Sequence, residues 1–418
     1  MPPLSPPSVT YRARWVWSAG RWIEGGRVSV AGRRIVAVGT ARQPGEIDLG
    51  EQVLLPGLVN AHTHLEFSSL TQPLPFDRTF ASWIRNVVEW RQRQSEADSR
   101  AAIELGLAES ARAGVAALGE ISTRYWDIPT ALSEASVDLT RVTPPAPQLV
   151  VFDEVLGLQL AAKEPQMADA RRHLIVGATR LPGEGERAYD WSAGLSPHAP
   201  YSVSRELFEE ALSLSTGADC PVAMHLAETP EELEILAAGT GPLADLLAAW
   251  GLWRPGQQAA FRSPLEVLQQ LSTLSRVLVI HGNYLTPAEL DFLSGKDQFS
   301  VVYCPRTQAY FQHDRYPLAA LLQRDIRVAL GTDSRASNPD LNLLSEVRQV
   351  AQQHPDIAPA TLLEMATRHG AEALGLGHSL GTIAPGLRAD FCLLPMESHI
   401  RDPFEVVLAS PPSPLESR

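Results

Sequence analysis

Between residues 53 and 333 the chain alternates short apolar runs, each closed by turn residues, with longer stretches whose apolar positions recur at helical spacing. Short runs of unbroken apolar character suit strands buried on both faces, and the helical stretches between them supply the crossovers that parallel strands require. Eight runs can be counted, at 53–62, 115–121, 149–155, 191–198, 221–227, 276–282, 299–304 and 327–333. Eight βα units predict an α/β fold of the closed (β/α)8, or TIM-barrel, type.

Some of the intervening helices are legible residue by residue. Across 204–213, Leu207, Phe208, Ala211 and Leu212 fall on one helical face, and across 342–353 Leu343, Leu344, Val347, Val350 and Ala351 do the same. The pattern is weakest at 180–189, where Gly183, Gly185 and several charges predict a surface loop.

The two ends differ from the middle. Residues 8–52 read as short alternating strands separated by glycine turns at Gly20, Gly25, Gly26 and Gly32, and the same texture returns over 381–394. Two ends of like character predict one small β-sandwich domain assembled from both, 1–56 and 379–418, beside a catalytic barrel at 57–378. Pro2, Pro3, Pro6 and Pro7 at the start and Pro411, Pro412 and Pro414 at the finish predict disordered tips.

Composition narrows the class. With 418 residues, 44% hydrophobic and 20% charged, the chain has the balance of a folded globule large enough to bury a sizeable core. A net charge of −13 argues against a nucleic-acid partner, because phosphate backbones are bound through an excess of Lys and Arg. No apolar run approaches the ~18 residues that a membrane span needs, and no secretory signal opens the chain, so a cytoplasmic location is expected. Cys220, Cys304 and Cys392 are an odd number, widely spaced and set in apolar runs, which fits small core residues better than disulfides or a thiolate metal site.

Candidate chemistry gathers at the ends of the predicted strands. In Asn60-Ala61-His62-Thr63-His64 two imidazoles stand two residues apart, so in extended backbone they face one side, the arrangement of a metal chelate. Further groups suited to a divalent ion close other runs: His225 after Val222-Ala223-Met224, His281 after Leu278-Val279-Ile280, and Asp333 after Gly331-Thr332. Singly, each has an ordinary explanation as a hydrogen-bonded core histidine or a helix-capping aspartate. Together, five such groups fall at the same end of four strands, the rim where barrels of this kind keep their chemistry. Imidazoles plus a carboxylate suit zinc, or iron, with a position left for water. Glu228, three residues past His225, is placed to move a proton, although a first-turn glutamate can also serve a helix dipole.

The segments Leu-Pro-Gly-Leu-Val-Asn-Ala-His-Thr-His-Leu, Ser-Pro-His-Ala-Pro-Tyr-Ser-Val, His-Leu-Ala-Glu-Thr, His-Gly-Asn and Gly-Thr-Asp-Ser-Arg-Ala-Ser-Asn, in that order, resemble the amidohydrolase superfamily, in its deaminase and chlorohydrolase branch. The resemblance runs from about Val53 to Leu394. It implies one divalent metal ion, Zn2+ or else Fe2+, held by His62, His64, His225 and Asp333, with His281 hydrogen-bonding the attacking water or the developing oxyanion. It also implies Glu228 as proton shuttle, Asp333 as a participant in activating water, and His198 over the substrate ring or its tetrahedral intermediate. Binuclear branches bridge two metals through a modified lysine, and the only lysine between His64 and His225, Lys163, sits in Ala-Ala-Lys-Glu-Pro rather than at a strand end.

Within the branch, His-Leu-Glu-Phe-Ser-Ser-Leu, Gly-Glu-Ile-Ser, Cys-Pro-Arg-Thr and Asp-Ser-Arg-Ala-Ser-Asn are most similar to aminodeoxyfutalosine deaminases and to relatives acting on S-adenosylhomocysteine or methylthioadenosine. The implied reaction is hydrolytic deamination of an adenine-type ring in a modified nucleoside, with ammonia released. Gln308 departs from the asparagine expected after Cys-Pro-Arg-Thr. Substrate contacts are expected from Trp83, by stacking, and from Glu66, Glu120 and Arg306, by polar bonding. The other readings are a chlorohydrolase or cyclic amidohydrolase on the same scaffold, or a barrel that has lost its chemistry. A homodimer with a small-molecule substrate and no membrane or nucleic-acid partner completes the expectation.

Overall fold

The computed structural model describes residues 8–123, 146–178 and 191–409. The proline-rich tips and the loop expected at 180–189 lie outside the described residues.

Eight parallel strands follow one another around a barrel: Leu58–Thr63, Val115–Ser122, Gln148–Val155, Trp191–Pro197, Val222–Leu226, Val277–His281, Phe299–Tyr303 and Val328–Leu330. Each is hydrogen-bonded to the next in sequence, so consecutive strands are neighbours around the barrel. The last strand meets the first through a short seam. The Asp333 amide donates to the His62 carbonyl (3.0 Å), Asn60 Nδ2 donates to Thr332 Oγ1 (2.8 Å), and the Thr332 amide donates back to Asn60 Oδ1 (3.1 Å).

Strand alternation divides the core. Val150, Phe152, Ala223, Leu278, Ile280, Val302 and Ala329 fill the barrel interior, while Leu149, Val151, Val222, Met224, Val277, Val279, Val301 and Val328 face the surrounding helices. Leu374, Leu376 and Leu380 pack onto the interior cluster, so the barrel is filled rather than open. The helices expected at 204–213 and 342–353 appear as Arg205–Ala218 and Leu343–Gln353, burying Leu207, Phe208, Ala211 and Leu212 in the first and Leu343, Leu344, Val347 and Val350 in the second. Ser204 and Asn342 cap them, accepting from the Leu207 and Leu344 amides.

The first expected strand, 53–62, is two strands. Gln52–Pro56 pairs antiparallel with Phe391–Pro395 and parallel with Trp15–Ser18, and the barrel strand begins only at Leu58. Gly57 lies between them where a Cβ would stand 2.4 Å from the Ala116 side chain, so the chain can turn from one sheet into the other only because this position carries none. Both segments are buried on both faces, and an unbroken apolar run therefore conceals the change of sheet.

Outside the barrel stand two four-stranded sheets, one ordered Arg34–Gly39, Arg27–Ala31, Ser8–Arg12, Ile47–Asp48 and the other Phe391–Pro395, Gln52–Pro56, Trp15–Ser18, Arg21–Glu24. Ala13, Val16, Val28, Ile35, Leu54, Ile383 and Phe391 form their common core, drawn from both ends of the chain. Cys220, Cys304 and Cys392 are free and buried. Among the described residues no helix is long and apolar enough to cross a membrane.

Candidate active site

The C-terminal ends of the barrel strands converge on one point. His62 and His64 leave the first strand, His225 lies in the fifth, His281 ends the sixth, and Asp333 follows the eighth. The ligand atoms of His62, His64 and Asp333 lie within 4.8 Å of one another, as do those of His62, His225 and His281. Asp333 Oδ1 is 3.6 Å from His62 Nε2 and 3.7 Å from His64 Nε2. All five groups singled out in the sequence are thus brought together, and all are buried.

Backbone strain helps to aim them. Ala227, His281 and Asp333 adopt φ of 52°, 67° and 54°, left-handed values that side chains rarely take and that cluster at functional sites. Asp333 continues the inward series from Ala329 through Gly331, where a Cβ would stand 2.9 Å from that of His62. The absence of a side chain at Gly331 leaves room for the imidazole.

The group has the electrostatics of a cation site. Burial and neighbouring imidazoles hold His64 and His225 well below the ordinary histidine range, in the neutral form that ligates metal. Burial would raise Asp333, yet the imidazoles of His62, His281 and His64 outweigh it and keep the carboxylate ionised. Both ring nitrogens of His62 and Nδ1 of His64 are buried without a hydrogen-bond partner. Such atoms are costly to leave unmade, and nitrogen donors beside a carboxylate are the set that a divalent ion satisfies. Asp333 is itself held in place, accepting from the Ser334 amide on Oδ1 (2.7 Å) and from Ser337 Oγ on Oδ2 (3.1 Å).

Glu228 faces this cluster, with Oε1 3.5 Å from His281 Nε2. Burial pushes its carboxyl well above the usual range, and Asp333 and Glu232 add to the effect. The segment is locked by Glu232, whose carboxylate accepts from the Ala227 and Glu228 amides at 2.8 Å each. Asn283 Nδ2 donates to the Glu228 carbonyl (3.0 Å). His198 stands next to His225, ring centres 4.9 Å apart, with Nδ1 2.7 Å from Ser202 Oγ. Burial holds His198 and His281 down at about 3.

A cleft of about 380 Å³ opens above these groups. Its floor is His64, His198, His225, Glu228, His281 and Asp333. One wall is Trp83, Ile84 and Val87 from the helix Phe80–Gln92, and the other is Leu243, Leu246 and Leu247 from the helix Pro242–Ala249.

The other expected contacts divide. Trp83 lines the cleft, its Nε1 donating to the Ala336 carbonyl (3.3 Å). Glu66, Glu120 and Arg306 do not line it and are engaged elsewhere. Glu66 pairs with Arg91 (2.7 Å), Glu120 accepts from the Leu65 amide (3.0 Å), and Arg306 forks onto Asp340 (2.6 and 3.0 Å). These are buried or half-buried partners of other protein groups, so their polar atoms are already occupied. Lys163 starts a helix and pairs with Glu210 (2.8 Å), away from the cluster. The residues that pattern reading missed are Glu154, Tyr201 and the leucine wall of 243–247. Glu154 closes an apolar run as His225 does, and that shared position was the available signal.

The Amidohydrolase family model matches residues 53–410. A 5-methylthioadenosine/S-adenosylhomocysteine deaminase of Pyrococcus furiosus is 29% identical over 413 residues, covering 94% of this chain and 85% of the relative. An aminodeoxyfutalosine deaminase of Deinococcus radiodurans is 31% identical over 336 residues, covering 77% of this chain and 73% of the relative. The crystal structure of an adenosine deaminase from Xanthomonas campestris with bound zinc superposes with a TM-score of 0.75 at 25% identity, covering 97% of this chain and 90% of that one. A family match spanning both the barrel and the returning strand Phe391–Pro395, on a chain whose strand ends present this histidine and aspartate cluster, means that the protein belongs to the amidohydrolase family.

Proposed function

We propose that this protein is a zinc-dependent hydrolytic deaminase acting on the adenine ring of a nucleoside modified at its 5′ position. The convergence of His62, His64, His225 and Asp333 beside a buried Glu228 at the floor of an apolar cleft carries the reading. The activities of the relatives in Pyrococcus furiosus and Deinococcus radiodurans supply the substrate class.

In this reading His62, His64, His225 and Asp333 hold one ion. A divalent ion bound there brings the pKa of a water from ~15.7 towards ~7–9, making a nucleophile available near neutral pH. Water adds to the ring carbon that bears the amino group. Glu228 takes one proton of the attacking water and passes it to the adjacent ring nitrogen; it then moves the remaining hydroxyl proton of the tetrahedral adduct to the amine, so that the C–N bond breaks, the carbonyl forms and ammonia departs. His281, 3.5 Å from Glu228, donates to the oxygen of the tetrahedral adduct. Asp333 shares in activating the water, and His198 lies over the ring. Trp83 and the leucine wall take the 5′ substituent, which apolar surface favours and water opposes.

The test is ammonia release from methylthioadenosine, S-adenosylhomocysteine and aminodeoxyfutalosine by zinc- and iron-loaded protein. Glu228→Gln is expected to lower turnover by at least ~10²–10⁴ while bound metal stays at the wild-type level. Chloride release from a chlorinated ring, or acid release from a cyclic amide, with no ammonia from any nucleoside, would replace the deaminase reading.

A further inference from the structure

Glu154 is the last inward-facing residue of the strand Gln148–Val155. Val150 and Phe152 belong to the barrel interior, whereas Leu149, Val151 and Val155 pack outward, so alternation sends the Glu154 side chain to the mouth of the barrel. It lines the cleft beside His198. Its side chain is 1% exposed, and neither carboxylate oxygen has a hydrogen-bond partner. His198 Nε2, 3.9 Å from Oε1, is too distant for a hydrogen bond.

Three other buried carboxylates of this barrel are not left so. Glu232 accepts from the Ala227 and Glu228 amides, Glu120 from the Leu65 amide, and Glu346 from the Arg306 amide and Asn338 Nδ2. A buried carboxylate with both oxygens idle, at the wall of a binding cleft, is a group awaiting donors from outside the protein.

We infer that Glu154 reads the sugar of the substrate, accepting the two neighbouring hydroxyls of a ribose, one on each oxygen, so that the preferred class is nucleosides with an intact 2′,3′-diol rather than deoxynucleosides or free purines. The inference rests on the deaminase reading of the same cleft. With the ring over His198, the sugar is the next group outward, and Glu154 is the acceptor beside His198. A carboxylate presents two acceptors side by side, as a cis-diol presents two donors. The leucine and tryptophan walls offer a hydroxyl nothing, and Glu154 is the lining carboxylate whose two oxygens both lack a protein partner among the described residues. Glu154 therefore sets specificity by contact with the substrate and takes no part in moving protons.

The experiment compares methylthioadenosine with its 2′-deoxy and 3′-deoxy analogues, by kcat/KM for ammonia release and by calorimetric binding to the zinc-loaded protein. The wild-type protein is expected to favour the riboside by roughly 10- to 100-fold, the size of lost charge-assisted hydrogen bonds, and mainly through KM. In Glu154→Gln that preference is expected to shrink by about tenfold. Equal affinity of the wild-type protein for riboside and deoxyriboside overturns the inference and needs no variant to fold. So does a Glu154→Gln protein that keeps the full preference, or one that loses affinity for all three ligands alike. Absence of ammonia from every nucleoside, with the riboside still bound preferentially, overturns the deaminase reading and leaves the diol contact standing.

Discussion

The Asp333 amide donates to the His62 carbonyl across 3.0 Å, joining the last barrel strand to the first. Two candidate ligands from opposite ends of the barrel sequence are therefore set side by side by the same contact that closes the barrel, and site geometry is tied to fold closure.

That tie predicts the effect of Asn60, which bonds Thr332 through both its amide nitrogen and its oxygen, 2.8 and 3.1 Å. Asn60→Ala leaves the buried Thr332 amide and hydroxyl short of partners. Stability is expected to fall by about 1–3 kcal/mol. Zinc affinity is expected to fall with it. Denaturant unfolding and metal titration on one preparation check both, and an intact metal affinity in a destabilised variant would separate closure from the site.

Removing the metal is expected to abolish turnover and to lower the melting temperature, because an ion that binds only the folded chain stabilises it by mass action. Zinc added back restores both. Asp333→Asn keeps the shape and the Ser334 contact but removes the charge, so it is expected to weaken metal binding by at least about tenfold at unchanged secondary structure. Dialysis against a graded chelator series, read by metal analysis, gives the difference.

Tyr316 donates to the His281 carbonyl at 2.9 Å while stacking on Tyr303, ring centres 3.6 Å apart. It holds a residue whose φ is 67°. Tyr316→Phe preserves the stack and removes the hydrogen bond. The expected result is a stability loss of about 1 kcal/mol. A fall in kcat should exceed any rise in KM, since in the proposed reaction His281 acts on the reacting oxygen rather than on the substrate's tail. A change confined to KM would place His281 outside the chemistry.

A pH effect on stability is expected from His173, far from the cluster. It lies on the helix Lys163–Ala178, bonds the Val151 carbonyl through Nε2 (2.9 Å) and stacks on Trp191. Burial lowers its pKa below the ordinary value of 6.5, with the Val151 bond opposing. The unfolded chain therefore binds the proton first, and this contribution to stability, complete above 6.5, is lost as the pH falls towards the folded value. Thermal unfolding over the acid range is expected to show a shallower pH dependence for His173→Phe than for the wild type.

Much of the architecture was readable because burial writes itself into the chain at two periods. The runs at 149–155, 221–227 and 276–282 announced strands, and Leu207, Phe208, Ala211 and Leu212 announced a helix. The division of 53–62 was not readable, since strands in two different sheets were equally apolar and only the close approach of Gly57 to Ala116 separates them.

For the site, local sequence determined which groups stand at strand ends, because the side-chain period and the barrel rule need no knowledge of distant residues. It could not determine which polar groups were already spoken for. Glu66, Glu120 and Arg306 were expected to meet the substrate and Glu154 was passed over, but in the fold Arg91, Leu65 and Asp340, remote in sequence for the most part, rest against the first three and no described residue bonds the fourth. Availability of a hydrogen-bonding group is a property of its neighbours in space, and only the folded chain decides those.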